Sequence, residues 1–174
     1  MEVPVNDHER ALAEVADFSS KGFADPDDAL DTLLDVVQKI IKFQTVLISE
    51  ISTAKAQLRV HAVKNADPAL TVPLGLQIPL SDSPCHHVAS AVEPFTVADM
   101  HADLELAMLP AAKDMGATSY IGVPIVLADG SFFGTLVGLD IASKESPKEL
   151  VQWLEILARL AALELQRQDA RQLV

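Results

Sequence analysis

The sequence predicts an α+β fold in which an antiparallel sheet of about six strands carries helices on one face and a pocket on the other. The first observation is the segment 119–140, SYIGVPIVLADGSFFGTLVGLD, in which two β-rich runs flank Asp129-Gly130. An Asp-Gly pair in this setting strongly predicts a hairpin turn. The second observation is that both runs are apolar on both faces, which predicts that both faces of the sheet are covered. The third is that helical patterns concentrate at the two ends of the chain.

Composition indicates one acidic globular domain. The chain has 174 residues, of which 49% are hydrophobic and 22% charged, enough for one domain with its own core. The formal net charge of −12, with no basic cluster, makes nucleic acid and anionic membranes poor partners. No run has the length of a membrane span, the first residues lack a signal-peptide pattern, and the single cysteine fits a reducing compartment. We therefore expect a cytoplasmic protein.

Two helices are predicted before the first strand. Asn6-Asp7 supplies caps for a helix over about 8–18, which we assign to an N-terminal helical extension, residues 1–23. The remaining residues, 24–174, form the main domain. Asp25-Pro26 opens the second helix, because Asp is a good cap and Pro suits the first helical position.

The middle of the chain alternates short strands with helices. The strand patterns, the first two forming a hairpin, cover residues 45–52, 57–64, 76–80 and 94–98. Ser-Asp-Ser-Pro at 81–84 opens a helix over 85–92. Residues 101–115 are helix-prone but contain Pro110, which predicts a broken helix.

Two registers are open for the central hairpin. A two-residue turn pairs Ala128 with Ser131, whereas a type I turn followed by Gly130 as a left-handed bulge pairs Leu127 with Ser131. The choice decides which face of the sheet each side chain of the second strand occupies. We favour the bulge; Tyr120 and Gly122 share a face in either register.

The last segment, residues 147–174, predicts one long helix. Its apolar stripe is broader than a two-position seam, so we expect it to cover the sheet and also a partner. This predicts a homodimer through the terminal helices, with Trp153 and Leu157 in the interface.

Four segments taken in this order resemble the GAF domain, a small-molecule sensor of phosphodiesterases, phytochromes and bacterial signalling proteins. They are IPLSDSPC (78–85), PFTVAD (94–99), SYIGVPI (119–125) and ADGSFFGTLVGLD (128–140). The resemblance covers about residues 25–167. It implies a GAF-like fold with a ligand pocket between the sheet and a loop-helix crossover, residues 81–116. It further implies a sensory, signal-transduction role: a small molecule bound non-covalently, with its state relayed through the C-terminal helix to a kinase, cyclase or phosphatase output.

The sequence departs from the cofactor-binding variants of that family. Aligning Met115-Gly116 with phytochromes places their bilin-attaching cysteine at about Ala107, so no covalent bilin is expected. The cyclic-nucleotide motif has only a fragment, at Lys64-Asn65. Methionine sulfoxide reductases of this fold resolve an oxidised cysteine with a second one, which the lone Cys85 lacks. Haem through one pocket histidine is the lesser alternative, and no cofactor is predicted.

Cys85-His86-His87 is the clearest candidate for metal chemistry. Adjacent helical positions point about 100° apart, so all three cannot face one ion, and no metal site is predicted. The alternative is a redox or metal sensor that uses Cys85. Its partners from the crossover would be Asp99, His101 or Asp103.

No nucleophile–base pair, phosphate-binding loop or paired-carboxylate motif appears in the sequence, so we expect a binding module and not an enzyme. A ligand-free dimerisation module remains an alternative.

The pocket is predicted beside Tyr120, where Gly122 would leave a hollow under the crossover. The alternative is that Gly122 only lets a core helix approach the sheet. No residue is predicted to be catalytic. The predicted ligand-binding residues are Ser83, Cys85, His86, Val97, Asp99, Met108, Ser119, Tyr120, Gly122, Thr135 and Val137.

Overall fold

The computed structural model describes residues 10, 13, 15–17 and 26–172. The described residues before residue 18 are helical. The rest of the predicted helix over 8–18, and the proposed boundary between residues 23 and 24, lie outside the described residues. None of the described helices combines the length and the apolar character needed to cross a membrane.

Helices and strands follow the predicted order. The α-helices are α1 (Pro26–Ile41), α2 (Cys85–Ala91), α3 (Leu104–Ala107), α4 (Pro110–Lys113) and α5 (Lys148–Gln172). The strands are β1 (Thr45–Ser52), β2 (Gln57–Asn65), β3 (Gln77–Pro79), β4 (Phe95–Val97), β5 (Ser119–Val126) and β6 (Phe132–Asp140). Short 3₁₀ helices cover Leu80–Asp82 and Met100–Ala102.

The six strands form one antiparallel sheet in the order β3-β2-β1-β6-β5-β4. The central pair joins distant parts of the chain, since Thr45 of β1 lies opposite Leu139 of β6. The predicted α+β architecture with a six-stranded antiparallel sheet is confirmed.

Each face of the sheet carries its own apolar cluster. Along β5, Ile121 and Val123 point to the face covered by α1 and α5, where Leu33 and Leu154 are buried. Tyr120, which alternates with them, points to the opposite face, under α2 and the crossover. Because both faces are covered, the hairpin strands are apolar on both sides, as their composition predicted.

The β5–β6 turn adopts the bulged register. The Gly130 N–H donates to the Leu127 carbonyl, and the Leu127 N–H donates to the Ser131 carbonyl, each at 2.9 Å. Gly130 has a φ of 85°, which glycine adopts at little cost. The favoured register is thus confirmed. A second irregularity, between Ile125 and Val126, leaves Phe133 as an extra residue and was not predicted.

The crossover is broken as Pro110 predicted. α3 ends at Ala107 and α4 begins at Pro110, where proline's missing N–H does no harm. Asp103 caps α3 by accepting hydrogen bonds from two backbone N–H groups. Two helices of four residues each, instead of one long helix, therefore cover this part of the sheet.

Asp140 closes the sheet at the end of β6. Its side chain is buried, and its Oδ2 accepts from the Gln44 N–H (3.0 Å) and pairs with Lys144 Nζ (2.9 Å). Its Oδ1 accepts from the Ala142 N–H (2.8 Å). One carboxylate therefore fixes the entry to β1 and the exit from β6.

Candidate functional site

A cavity of about 80 Å³ lies between the sheet and the crossover. Apolar side chains of β1, β2 and β6 form its floor, among them Leu47, Val60 and Val137. Pro110 and Met115 from the crossover form part of its roof. The polar side chains that line it come from four residues, Asp82, Ser83, Cys85 and Tyr120. A mostly apolar enclosure with a few polar groups is typical of small-molecule sites.

Cys85 occupies the inner face of α2 and lies at the centre of a buried polar network. Its Sγ accepts hydrogen bonds from the Tyr120 hydroxyl (3.2 Å) and from Thr135 Oγ1 (3.3 Å). Thr135 Oγ1 also contacts Ser49 Oγ. The Cys85 N–H donates to Ser83 Oγ at 3.1 Å. The network joins α2 to three adjacent strands of the sheet, β1, β6 and β5, and holds the roof of the cavity above its floor.

The Tyr120 hydroxyl is held in its neutral form. Burial raises the pKa of Tyr120 well above its usual value of 10.0, and the adjacent Cys85 raises it further. The proton therefore stays on the oxygen and is donated to Cys85 Sγ, while the oxygen lone pairs remain able to accept a hydrogen bond.

The hollow expected beside Gly122 is not there, and this expectation was wrong. A Cβ added to Gly122 would lie 2.6 Å from Cζ of Tyr120, because the tyrosine ring itself leans over the glycine. Its hydroxyl must lean this way to reach Cys85. The cavity lies instead along Val137 and Leu139 of β6.

The structure brings four of the eleven predicted ligand-binding residues to the cavity wall: Ser83, Cys85, Tyr120 and Val137. The other seven are absent from that wall.

Three of those seven lie near the network or the roof. Thr135 is buried behind Cys85, and His86 and Val97 are half-buried. Ser119, with the opposite orientation to Tyr120 on β5, donates its hydroxyl to the Ala142 carbonyl at 2.8 Å. Gly122 lies under the tyrosine ring.

Asp99 and Met108 point away from the cavity. Asp99 is exposed and caps a 3₁₀ helix by accepting the His101 N–H at 2.9 Å. Met108 is 66% exposed. Ligand contact by any of the eleven stays a prediction.

Sequence reasoning missed the part of the wall that comes from the first hairpin and the loop after it. Leu58 and Val60 alternate along β2 with exposed residues, so the strand pattern identified a buried face. It did not indicate which of the two clusters that face joins. Val72 comes from an irregular loop, for which no periodic signal exists, and Leu76 lies just before β3, although the predicted strand over 76–80 had included it.

Cys85 and the two histidines after it separate as helix geometry requires. Cys85 points inward, whereas the His86 and His87 rings lie together, 3.9 Å apart between centroids. Among the described residues, one group of potential metal ligands is close enough to share an ion, namely His86, His87 and Glu105. Cys85 does not belong to it, so the alternative of a metal site joining Cys85 to Asp99, His101 or Asp103 finds no support.

Comparison with known proteins agrees with the fold described above. Residues 25–165 match the family profile of the GAF domain. The GAF domain of a phosphoenolpyruvate-protein phosphotransferase from Coxiella burnetii superposes with a TM-score of 0.75 at 17% identity, over 98% of this chain and 100% of that one. The corresponding Acinetobacter domain gives 0.73 at 16% identity, over 98% and 99%.

A bacteriophytochrome chromophore-binding domain from R. palustris is also similar, with a TM-score of 0.74 at 15% identity. The match covers 99% of this chain and 64% of that one. No curated protein matches the sequence. At these identities the solved structures establish the fold alone.

Proposed function

Because the chain belongs to the GAF domain family, whose members are generally regulatory sensory modules, we propose that it senses a small molecule bound non-covalently in the cavity. We further propose that it acts in the cytoplasm, as its acidic composition and single cysteine favour. The observation that carries the proposal is the cavity of about 80 Å³ between the sheet and the crossover, with apolar walls and a central Cys85–Tyr120 pair.

The size of the cavity limits the ligand. An engineered cavity of about 150 Å³ binds benzene, and the present one is about half as large. A ligand that enters without rearrangement therefore has only a few heavy atoms. Its polar part is best matched by one group that donates a hydrogen bond, since the Tyr120 oxygen accepts but its proton is already used.

A larger ligand requires the roof to repack. The crossover is suited to this, because α3 and α4 are short and expose apolar side chains, with Leu104 92% and Met108 66% exposed. Methionine is flexible enough to cover ligands of different shape, so Met108 could fold inward over an enlarged pocket.

The route proposed for the signal is α5. Its buried side packs on the same sheet through Leu154 and Leu157, so a shift of the sheet reaches the helix directly. Its other side carries Ile156 and Leu163, which lie one heptad apart, as residues at one position of a coiled-coil seam do, and are 40% and 53% exposed. We propose that this seam pairs with a second copy and leads to an output domain. Leu157, which was expected in the interface, is fully buried in the monomer core instead.

A ligand-free dimerisation module is the second candidate, favoured by the small cavity and the apolar seam. Thermal unfolding with and without small hydrogen-bond donors such as isopropanol and acetamide, and with indole and p-cresol, which require the roof to repack, separates the two together with native mass spectrometry of freshly purified protein. A retained ligand, or a saturable rise in Tm, supports the sensor. A dimer that neither retains nor responds to any of these molecules supports the dimerisation module.

A further inference from the structure

The outer side of α2 brings together three potential metal ligands that take no part in the cavity. One ligand atom from each of His86, His87 and Glu105 lies within 4.8 Å of the other two. The histidines come from α2, and Glu105 comes from α3 in the crossover. None of the three lines the cavity wall.

His86 is oriented as a metal ligand would be. Its Nδ1 donates to the Ser83 carbonyl at 2.7 Å, which fixes the ring and leaves the Nε2 lone pair free. A backbone carbonyl that accepts from the second ring nitrogen is the usual outer support of a metal-bound histidine.

His87 has an unsatisfied nitrogen. Its ring stacks on Phe95 at 4.4 Å, and its buried Nε2 has no hydrogen-bond partner. Buried polar atoms are nearly always paired, so an unpaired one needs an explanation, and an unrecorded ion is one of the known ones.

We propose that His86, His87 and Glu105 bind one divalent transition metal ion of the Zn²⁺ class, with water completing its coordination. Two imidazoles and one carboxylate suit Zn²⁺ and Co²⁺. Because the site has no thiolate, it does not favour softer ions such as Cu⁺. Ligand atoms of a tetrahedral zinc site lie roughly 3.3 Å apart, given zinc–ligand bonds of about 2.0 Å. Glu105 is exposed, so rotation of its side chain can close the remaining distance.

The ion would cross-link the helix that carries Cys85 to the crossover. α2 forms part of the cavity roof, and α3 precedes the segment containing Pro110 and Met115, which completes it. Metal binding would therefore hold together the elements that must move apart to admit a larger ligand. The ion would therefore act as a second input, at a site separate from the cavity.

The test is titration of the chelator-treated full chain with Zn²⁺ by calorimetry, and with Co²⁺ by visible absorption. We expect one ion per chain with a Kd in the micromolar range or tighter, and a Co²⁺ spectrum without a thiolate charge-transfer band. Glu105→Gln and His86→Ala should each weaken binding at least tenfold. Glu105 is exposed, so that variant should stay folded even if His86→Ala does not.

Matched controls remove the same group elsewhere. His101→Ala removes an exposed histidine of the crossover, and Glu149→Gln removes an exposed carboxylate of α5. Both should leave the Kd unchanged, as should Cys85→Ser. The proposal would be overturned if the wild-type chain bound neither ion at about 100 µM. It would also be overturned if His101→Ala weakened binding as much as His86→Ala does, or if Cys85→Ser were the only variant that lost binding.

Discussion

Filling the cavity by one methylene group should stabilise the protein and weaken ligand binding. Val137 is buried and lines the cavity floor on β6. Val137→Ile adds the methylene next to empty space, where it gains apolar contacts without displacing a neighbour. Most enlargements of a packed core are destabilising, so the expected sign is itself a test of the cavity.

The magnitude follows from the size of the cavity. At about 24 cal/mol per Å³, a cavity of about 80 Å³ costs about 2 kcal/mol in total, which bounds what any filling can recover. One buried methylene contributes about 0.8 kcal/mol. For a chain of this length, that corresponds to a rise in Tm of about 2–3 °C.

The assay is urea unfolding followed by the fluorescence of Trp153, the chain's single tryptophan, with Tm measured in parallel. Val123→Ile is the matched control, because Val123 is buried on the other face of the sheet, against the helices. There the same methylene should destabilise by about 1–3 kcal/mol. If Val137→Ile destabilises the protein as much as Val123→Ile, the space beside Val137 cannot hold a further methylene group, and the proposed cavity is refuted. If a probe such as benzene binds, Val137→Ile should weaken that binding as well.

Three further predictions concern other parts of the fold. Tyr120 is the only tyrosine, and its pKa is raised by burial, so the unfolded chain loses this proton at about pH 10 while the folded chain keeps it. Stability should therefore fall as pH rises above 10, and absorbance should show phenolate only as far-ultraviolet circular dichroism is lost; phenolate in a folded chain near pH 10 would contradict this. Asp140→Ala leaves two backbone N–H groups and a lysine without their carboxylate, so the free energy of unfolding in urea should fall by about 2–4 kcal/mol. A fall below about 1 kcal/mol would contradict the role of Asp140 in fixing the ends of β1 and β6. Ile156→Glu and Leu163→Glu replace side chains that are 40% and 53% exposed, so sedimentation should show a monomer with unchanged circular dichroism; a wild-type monomer at tens of micromolar, roughly the weakest affinity of interest, would rule out the seam.

The sequence predicted the fold well because its signals are local. Gly130 after Asp129 specifies the bulged turn through its own backbone, and Pro110 breaks the crossover wherever it is placed. The extra residue at Phe133 has no such signal, since Phe132 and Phe133 are both apolar and either could have faced either cluster.

The site was less predictable because its geometry depends on distant residues. Tyr120 leans over Gly122 to reach Cys85, a partner 35 positions away that no spacing rule identifies. In α5 the apolar stripe is wide, and periodicity alone could not decide that Leu157 is buried while Leu163 is exposed. The rule that adjacent helical residues point in different directions correctly separated Cys85 from the two histidines. It did not foresee that the histidine rings would bend together toward Glu105 from another element.

The position of β1 and β6 at the centre of the sheet has a consequence for how the protein acquires its structure. β1 pairs with β2 early in the chain, but its other edge is completed only by β6, the last strand to be synthesised. Until then β1, whose residues are mostly buried in the finished sheet, presents an open edge, the arrangement that promotes pairing with other chains. The sheet cannot divide into halves that fold alone. We therefore expect slow, all-or-none folding after β6 is complete, and aggregation of chains truncated before Phe132.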